Sequence, residues 1–181
     1  ILIPVKAFAL IEVDITRGNL DPLPLAVSPL SIDENSRKSF EKILKKENIG
    51  SEISNIVENN LKTSGLFNPL NKDAFLQKPD VAHLKPRFED WSLIKAQALI
   101  TGKVEFKDEK VRVEFRLWDV LAAREILALA FTTVPNNWRR IGHIISDKIY
   151  ERLTGEKGYF DTRIIYVSEE GPKTKRVKKL A

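Results

Sequence analysis

The 181-residue sequence contains no cysteine, no methionine, only two histidines and only eight glycines. Without cysteine there is no disulfide, no thiol nucleophile and no thiolate zinc site, although that absence does not identify a compartment. His83 and His143 lie far apart in the chain, and neither has a partner at H-x-x-x-H or similar metal-ligand spacing. Both read as surface or half-buried packing residues. The sequence has no G-x-S-x-G, no G-x-G-x-x-G and no phosphate-cradling glycine loop, and its glycines fall mostly at expected helix ends and turns. The acidic pairs Asp33-Glu34 and Glu89-Asp90 have no second group placed to split their ionisation, so they read as solvated caps. No catalytic residue, metal site or cofactor is therefore expected. Nor is there a stretch of about 18 apolar residues, the length a membrane-spanning helix needs.

Excess charge is also scarce once it is located. The formal charge of +5 comes from Lys173, Lys175, Arg176, Lys178 and Lys179 at the end of the chain, and the remainder is balanced. With no basic stripe interleaved with aromatics elsewhere, nucleic-acid binding is not expected. The sequence does carry 43% hydrophobic and 30% charged residues, enough for a buried core in one domain.

Residues 136–167 are the clearest stretch. Asn136 or Asn137 can cap a helix in which Trp138, Ile141, Ile145, Ile149 and Leu153 recur on one face, with Arg152 near its carbonyl end and Gly155 as the stop. From Phe160 the period changes to that of a strand running to Val167. Trp138-Arg139-Arg140 reads either as a core anchor with two solvated arginines or as a cation–π or anion site. A second helix, capped by Ser51 and stopped by Gly65, carries Ile53, Ile56, Val57 and Leu61 on one face. Residues 31–50 are polar and lysine-rich, with Ser36 as a cap and Phe40, Ile43 and Leu44 at helical spacing, and read as a surface loop with a short helix. The segment from Phe67 to Glu89 reads as irregular, with Asp90 capping a short helix after it.

Three strands follow as a meander. Ile100, Gly102, Val104 and Phe106 share a face, then Val111, Val113, Phe115 and Leu117, then Leu127, Leu129 and Phe131, with turns at residues 107–110 and near Ala122 and Ala123. Arg112, Glu114 and Arg116 point the other way. A sheet with one apolar and one charged face needs helices on one side only. The expected fold is thus α+β: a two-layer sandwich of a mixed, mostly antiparallel sheet of about five strands, including strands from Leu25 and Thr162, with two main helices on one face.

The leading residues admit two readings each. Ile1 to Val5 with Ala7-Phe8-Ala9 reads as the remnant of a secretory signal over residues 1–9, or as an ordinary first strand. Over residues 10–20, Ile11, Val13 and Ile15 alternate with Glu12, Asp14 and Thr16. This is either an edge strand of the domain's own sheet or a segment free to pair with another protein's sheet edge.

The run Trp138-Arg139-Arg140, Gly142-His143, Ser146-Asp147-Lys148, Leu153-Thr154-Gly155, Gly158, Phe160-Asp161-Thr162-Arg163 and Tyr166-Val167 resembles the end of the amino-terminal domain of the TolB family. These are periplasmic members of the Tol–Pal cell-envelope system of Gram-negative bacteria. Ser64-Gly65-Leu66-Phe67-Asn68-Pro69-Leu70 and Pro24 to Pro29 agree with it in order. The resemblance implies a non-enzymatic periplasmic adaptor supporting outer-membrane integrity and cell division. It implies that Leu10, Ile11, Glu12, Val13, Asp14, Ile15, Thr16 and Arg17 bind the carboxy-terminal domain of TolA. Residues 21–167 would be the α+β domain, and 168–181 the start of a missing β-propeller that receives Pal. Association with the outer membrane would then be peripheral, through Pal only, and the protein a monomer. A different class of function remains open, a small-ligand carrier with a pocket between sheet and helices lined by Val104, Phe115 and Ile145.

Overall fold

Four consecutive residues, Ala98 to Thr101, are almost wholly buried although a strand points them alternately to opposite faces. The strand they open therefore has both faces covered at its start, and the rest of the chain is arranged around it. The computed structural model describes residue 11 and residues 21–162, 167–172 and 175–180. The main sheet contains β1 (Leu23–Val27), β2 (Ser31–Ile32), β3 (Phe67–Pro69), β4 (Ala98–Lys107), β5 (Lys110–Asp119) and β6 (Arg124–Thr133). Its order is β3-β1-β4-β5-β6, with β2 also beside β4. β1 runs parallel to β3 and to the first half of β4, β2 runs parallel to the second half of β4, and the long pairings β4–β5 and β5–β6 are antiparallel.

β1 and β2 are one interrupted strand along β4, broken at Pro29. The break leaves main-chain groups that a buried side chain satisfies: Leu30 N–H donates to Ser54 Oγ at 3.0 Å, and Ser54 Oγ lies 3.1 Å from the Ser28 carbonyl. Among the described residues five α-helices accompany the sheet: α1 (Glu34–Leu44), α2 (Ile49–Thr63), α3 (Pro79–Leu84), α4 (Phe88–Leu93) and α5 (Trp138–Thr154). The inner face of the sheet, including Ile100, Val104, Val113, Phe115 and Leu117, joins α2 and α5 in one apolar cluster. Ile53, Val57, Leu61, Ile141, Ile145, Ile149 and Leu153 come from the two helices, as their spacing predicts. The helices approach closely at Gly142, where a Cβ would stand 2.8 Å from Ile56 Cγ2. Alongside, Asn60 Nδ2 donates to Ser146 Oγ at 2.9 Å and lies 2.9 Å from His143 Nδ1.

The expected α+β class and the meander register are observed, and several details differ. Among the described residues the sheet has six strands, and β1 is an interior one. The helix in residues 31–50 is eleven residues long, is capped by Asp33 and buries Phe40 completely against the core, so it is a structural element and not a surface loop. Ser36 serves Asp33 instead of capping: its N–H and hydroxyl donate to the Asp33 carboxylate at 3.0 and 2.6 Å, and these bonds hold that carboxyl below the ordinary range. The cap of α2 is Asn48, three residues before Ser51. α5 has no side-chain cap, because a 3₁₀ turn at Pro135–Asn137 leads into it.

Residues 79–84, read as irregular, form α3, and Arg87 rather than Asp90 precedes α4. These two short helices cover the outer face where it is apolar. Ala26, Leu99 and Val120 meet Ala82 and Trp91 there in a second cluster. Helices on one side alone are therefore insufficient: Leu99, Trp118 and Val120 lie at the end of the outer face beyond the charged stripe, and water would otherwise meet them. Gln77 holds this cap together, since its Oε1 accepts from Trp91 Nε1 and Arg87 N–H and its Nε2 donates to the Lys85 carbonyl.

Phe160–Thr162 are not extended into a strand, and Arg163–Tyr166 lie outside the described residues. Val167 opens β7 (Val167–Glu170), which pairs antiparallel with β8 (Val177–Leu180) in a ribbon separate from the main sheet. The part of the basic tail in Val177–Leu180 is thus a paired strand. Arg176 and Lys178 meet Glu169, and Lys179 meets Glu170.

Truncating Phe40 to alanine removes a fully buried ring that meets Phe106 edge-on at 5.6 Å. The expected loss is about 3–5 kcal/mol, read by denaturant unfolding. A loss under about 1 kcal/mol would return α1 to the status of a surface appendage.

Candidate partner-docking surfaces

Of the leading segment only Ile11 is described; it is half-buried and packs against the main apolar cluster. Leu10, Glu12, Val13, Asp14, Ile15, Thr16 and Arg17, the other residues expected to bind a partner, lie outside the described residues.

At the start of α5 the sequence offered an anion or cation–π site. Trp138 is buried in the core, with the Arg139 guanidinium 4.4 Å and Lys46 Nζ 5.6 Å from its ring centroid. Arg140 is engaged elsewhere, with two nitrogens on the Asp161 carboxylate at 3.0–3.2 Å. The tryptophan is an anchor, and the arginines tie down neighbouring surface.

That Arg140–Asp161 pair belongs to a strap that sequence reading took for the start of a strand. After Gly155 ends α5, residues 156–162 turn back along the helix. Asp147 accepts the main-chain N–H groups of Phe160 and Asp161 at 2.6 and 3.1 Å. Gly158 passes so close that a Cβ there would stand 2.4 Å from Asp147 Cα. Phe160 and Tyr159 pack edge-on against Tyr150, which packs edge-on against Phe67 at the sheet edge. The signal for this strap was in the sequence: Asp147, Gly158 and Asp161 all lie in the run that carries the family resemblance.

The histidines hold no metal ligand set, and among the described residues no cluster of three such groups occurs. His143 faces Asn60. His83 is in α3, not in a loop, and is 8% exposed, with its Nδ1 buried and without a hydrogen-bond partner. It faces Lys103 and Glu105 on β4 and Glu114 and Arg116 on β5. Burial first, and then Lys103 and Arg116, hold its imidazole below the ordinary value, while Glu114 and Glu105 act in the opposite sense.

The carrier reading required a cavity in the core. Val104, Phe115 and Ile145 are instead 0–1% exposed within one packed cluster. Open grooves occur at the surface. One of about 780 Å³ lies between α4 and the β5–β6 turn, beside Phe88, Leu93 and Leu121. Another of about 480 Å³ lies between β6 and the end of α5, beside Leu127, Lys148, Glu151 and Arg152. β6 itself is an edge of the sheet.

These features define a class, a small α+β domain in which side chains such as Gln77 and Asp147 hold chain segments in place. Its family follows from comparison. The family model of the TolB amino-terminal domain matches residues 11–126, and the chain belongs to that family. It is 81% identical over all 181 residues to the Tol-Pal system protein TolB of Pelagibacter ubique (strain HTCC1062), and spans 41% of that protein's length. Among solved structures, the crystal structure of TolB from Acinetobacter baumannii matches 81% of this chain and 32% of its own, with a TM-score of 0.64 and 24% identity, and shares the fold.

Two outcomes test the geometry. Unfolded His83 titrates near 6.5 and folded His83 below it, so the unfolded state binds more protons between the two values. Stability from this site is therefore complete above about pH 6.5 and is lost as pH falls through the folded value. Unfolding titrations should show this slope, and His83→Gln should flatten it; an unchanged slope would assign it to other groups. Asp147→Ala should make local opening of the strap easier by about 1–3 kcal/mol and so speed hydrogen exchange at the amides of Phe160 and Asp161, while exchange in β5, which reports global unfolding, changes far less.

Proposed function

We propose that this chain is the amino-terminal module of a non-enzymatic adaptor of the Tol–Pal system in the periplasm, supporting outer-membrane integrity and cell division. The observation that carries the reading is the 81% identity to a Tol-Pal system protein over every residue of the chain. In this reading residues 1–9 are the remnant of a secretory signal, 10–20 the partner-binding segment, 21–167 the α+β domain and 168–181 the start of a β-propeller. Leu10 to Arg17 bind the carboxy-terminal domain of TolA, the propeller receives Pal, and the protein is a monomer that meets the outer membrane only through Pal.

The physical basis for the TolA contact is the alternation of Ile11, Val13 and Ile15 with Glu12, Asp14 and Thr16. A strand added to an exposed sheet edge gains affinity from main-chain hydrogen bonds and selectivity from alternate side chains. Such a segment can exchange between a docked and a free state, and a ligand shifts that exchange only as far as its affinities for the two states differ. The half-buried Ile11 supports a docked state, since it has apolar contacts to give up on release.

Deleting Leu10 to Arg17 and titrating the TolA carboxy-terminal domain by calorimetry tests this directly. Binding should fall at least a hundredfold, and affinity unchanged by the deletion removes the mechanism.

A further inference from the structure

Residues 75–94, which carry α3 and α4, are tied to one another by polar contacts and to the sheet by packing alone. Gln77 clasps Lys85, Arg87 and Trp91, and Phe75 meets the Trp91 ring edge-on at 5.0 Å, so the segment is closed on itself. Among the described residues no hydrogen bond or ion pair joins it to a strand. Its contacts with the outer face are apolar: Ala82 and Trp91 share a cluster with Ala26, Leu99 and Val120, and Phe88 meets Trp118 edge-on at 5.8 Å. The anchors lie at its margins. Lys72 before it bonds Asn55 and Glu58 of α2, and Lys95 after it takes a left-handed φ of 63°.

A lid seated in this way is sensitive to a charge beneath it, and His83 is placed to acquire one. The side chain is buried, its Nδ1 has no hydrogen-bond partner, and histidine is the residue whose charge ordinarily changes between about pH 5 and 8. The charges that face it are Lys103 and Glu105 on β4 and Glu114 and Arg116 on β5. Both carboxylates are already engaged, Glu105 by Lys103 at 2.7 Å and Glu114 by Arg112 at 2.9 Å, and Arg116 is paired with Glu125. β2 brings only Ser31 and Ile32. On the segment itself Lys78, Asp80, Lys85 and Glu89 are exposed, and Asp90 is held by Arg87. A proton on the imidazole of the closed lid therefore meets burial, two cations and carboxylates bonded to others. The same imidazole in water meets none of these.

We propose that His83 is the proton-operated catch of a lid formed by residues 75–94, which is closed while the imidazole is neutral and lifts from an otherwise intact sheet when it is protonated. Lifting uncovers Leu99, Trp118 and Val120, the apolar end of the outer face. The sense follows from linkage. The open lid takes up a proton at the ordinary value of about 6.5 and the closed lid below it, so closure is complete above about pH 6.5 and weakens as pH falls through the closed value. What distinguishes this from a pH-dependent global stability is its locus, and its failure leaves the TolA reading untouched.

Amide hydrogen exchange of the full chain at about pH 7 and about pH 5, corrected for the intrinsic rate at each, tests the lid. Opening at Ala82, Lys85 and Arg87 should be at least about tenfold more populated than opening in β5. It should rise about threefold or more from the higher pH to the lower. His83→Gln should remove the rise. Two charge variants decide the matter if that variant does not fold. Lys103→Gln takes away a cation facing the imidazole and should shrink the rise, and Glu114→Gln takes away a carboxylate and should enlarge it. Opening at the lid no more populated than in β5, opening indifferent to pH, a rise that survives His83→Gln, or charge variants that move the response in one direction overturns the proposal.

Discussion

The fold depends on the unequal burial of β4. Its first residues, Ala98 to Thr101, lose contact with water on both faces, whereas Lys103 and Glu105 further along keep one face polar. Burying an apolar side chain such as Leu99 or Ile100 contributes on the order of 1.5–3 kcal/mol, so each face of that first half needs a cover. α2 and α5 supply one and the Gln77-centred pair α3–α4 the other. Where the second cover ends, the outer face passes to cross-strand pairs such as Arg116–Glu125 and Lys103–Glu114. Exposed pairs of this kind are each worth about 0–1 kcal/mol, so they keep the sheet soluble and add little to its stability.

Much of this was legible in the sequence. The period-two runs of β4, β5 and β6 and the three-to-four spacing of α2 and α5 are strong because each element buries one face against the same core. The polar turn at residues 107–110 was equally plain, and Asp108 and Glu109 there both take positive φ, as a two-residue hairpin turn requires. What escaped was decided by contacts distant in sequence. α1 looked like surface because eight of its eleven residues are polar or charged, and what ties it to the core is the fully buried Phe40, the partly buried Leu44 and the Ser36 hydroxyl, which accepts from the Phe106 N–H. α3 and α4 are six residues each, too short to display a period. The caps at Asp33 and Asn48 each lie three residues before the serine expected to serve, because a serine inside the first turn can donate its N–H to the capping side chain as readily as it can cap.

The surfaces for partners were legible to different degrees. The alternation over Leu10 to Arg17 is a sequence pattern only, since all but Ile11 lie outside the described residues, and the TolA contact proposed for it rests on position and family resemblance, not on periodicity. β6 was recognised as a strand and its freedom as an edge was not, since sequence gives pairing propensity without strand order. The strap was mistaken for a strand because Phe160 to Val167 alternates well. Asp147 and Arg140 hold its first residues against a helix before any sheet partner can claim them.

That strap has a mechanical consequence. Tension on the outgoing chain at Thr162 reaches the Arg140–Asp161 pair and the two amides held by Asp147 before it reaches any ladder of the main sheet. Because the strap lies back along α5, the load enters through the domain's longest helix, which is keyed to α2 by Asn60 and to β6 by Arg152. Force would be shared across a helix pair rather than peeling one strand from its neighbour.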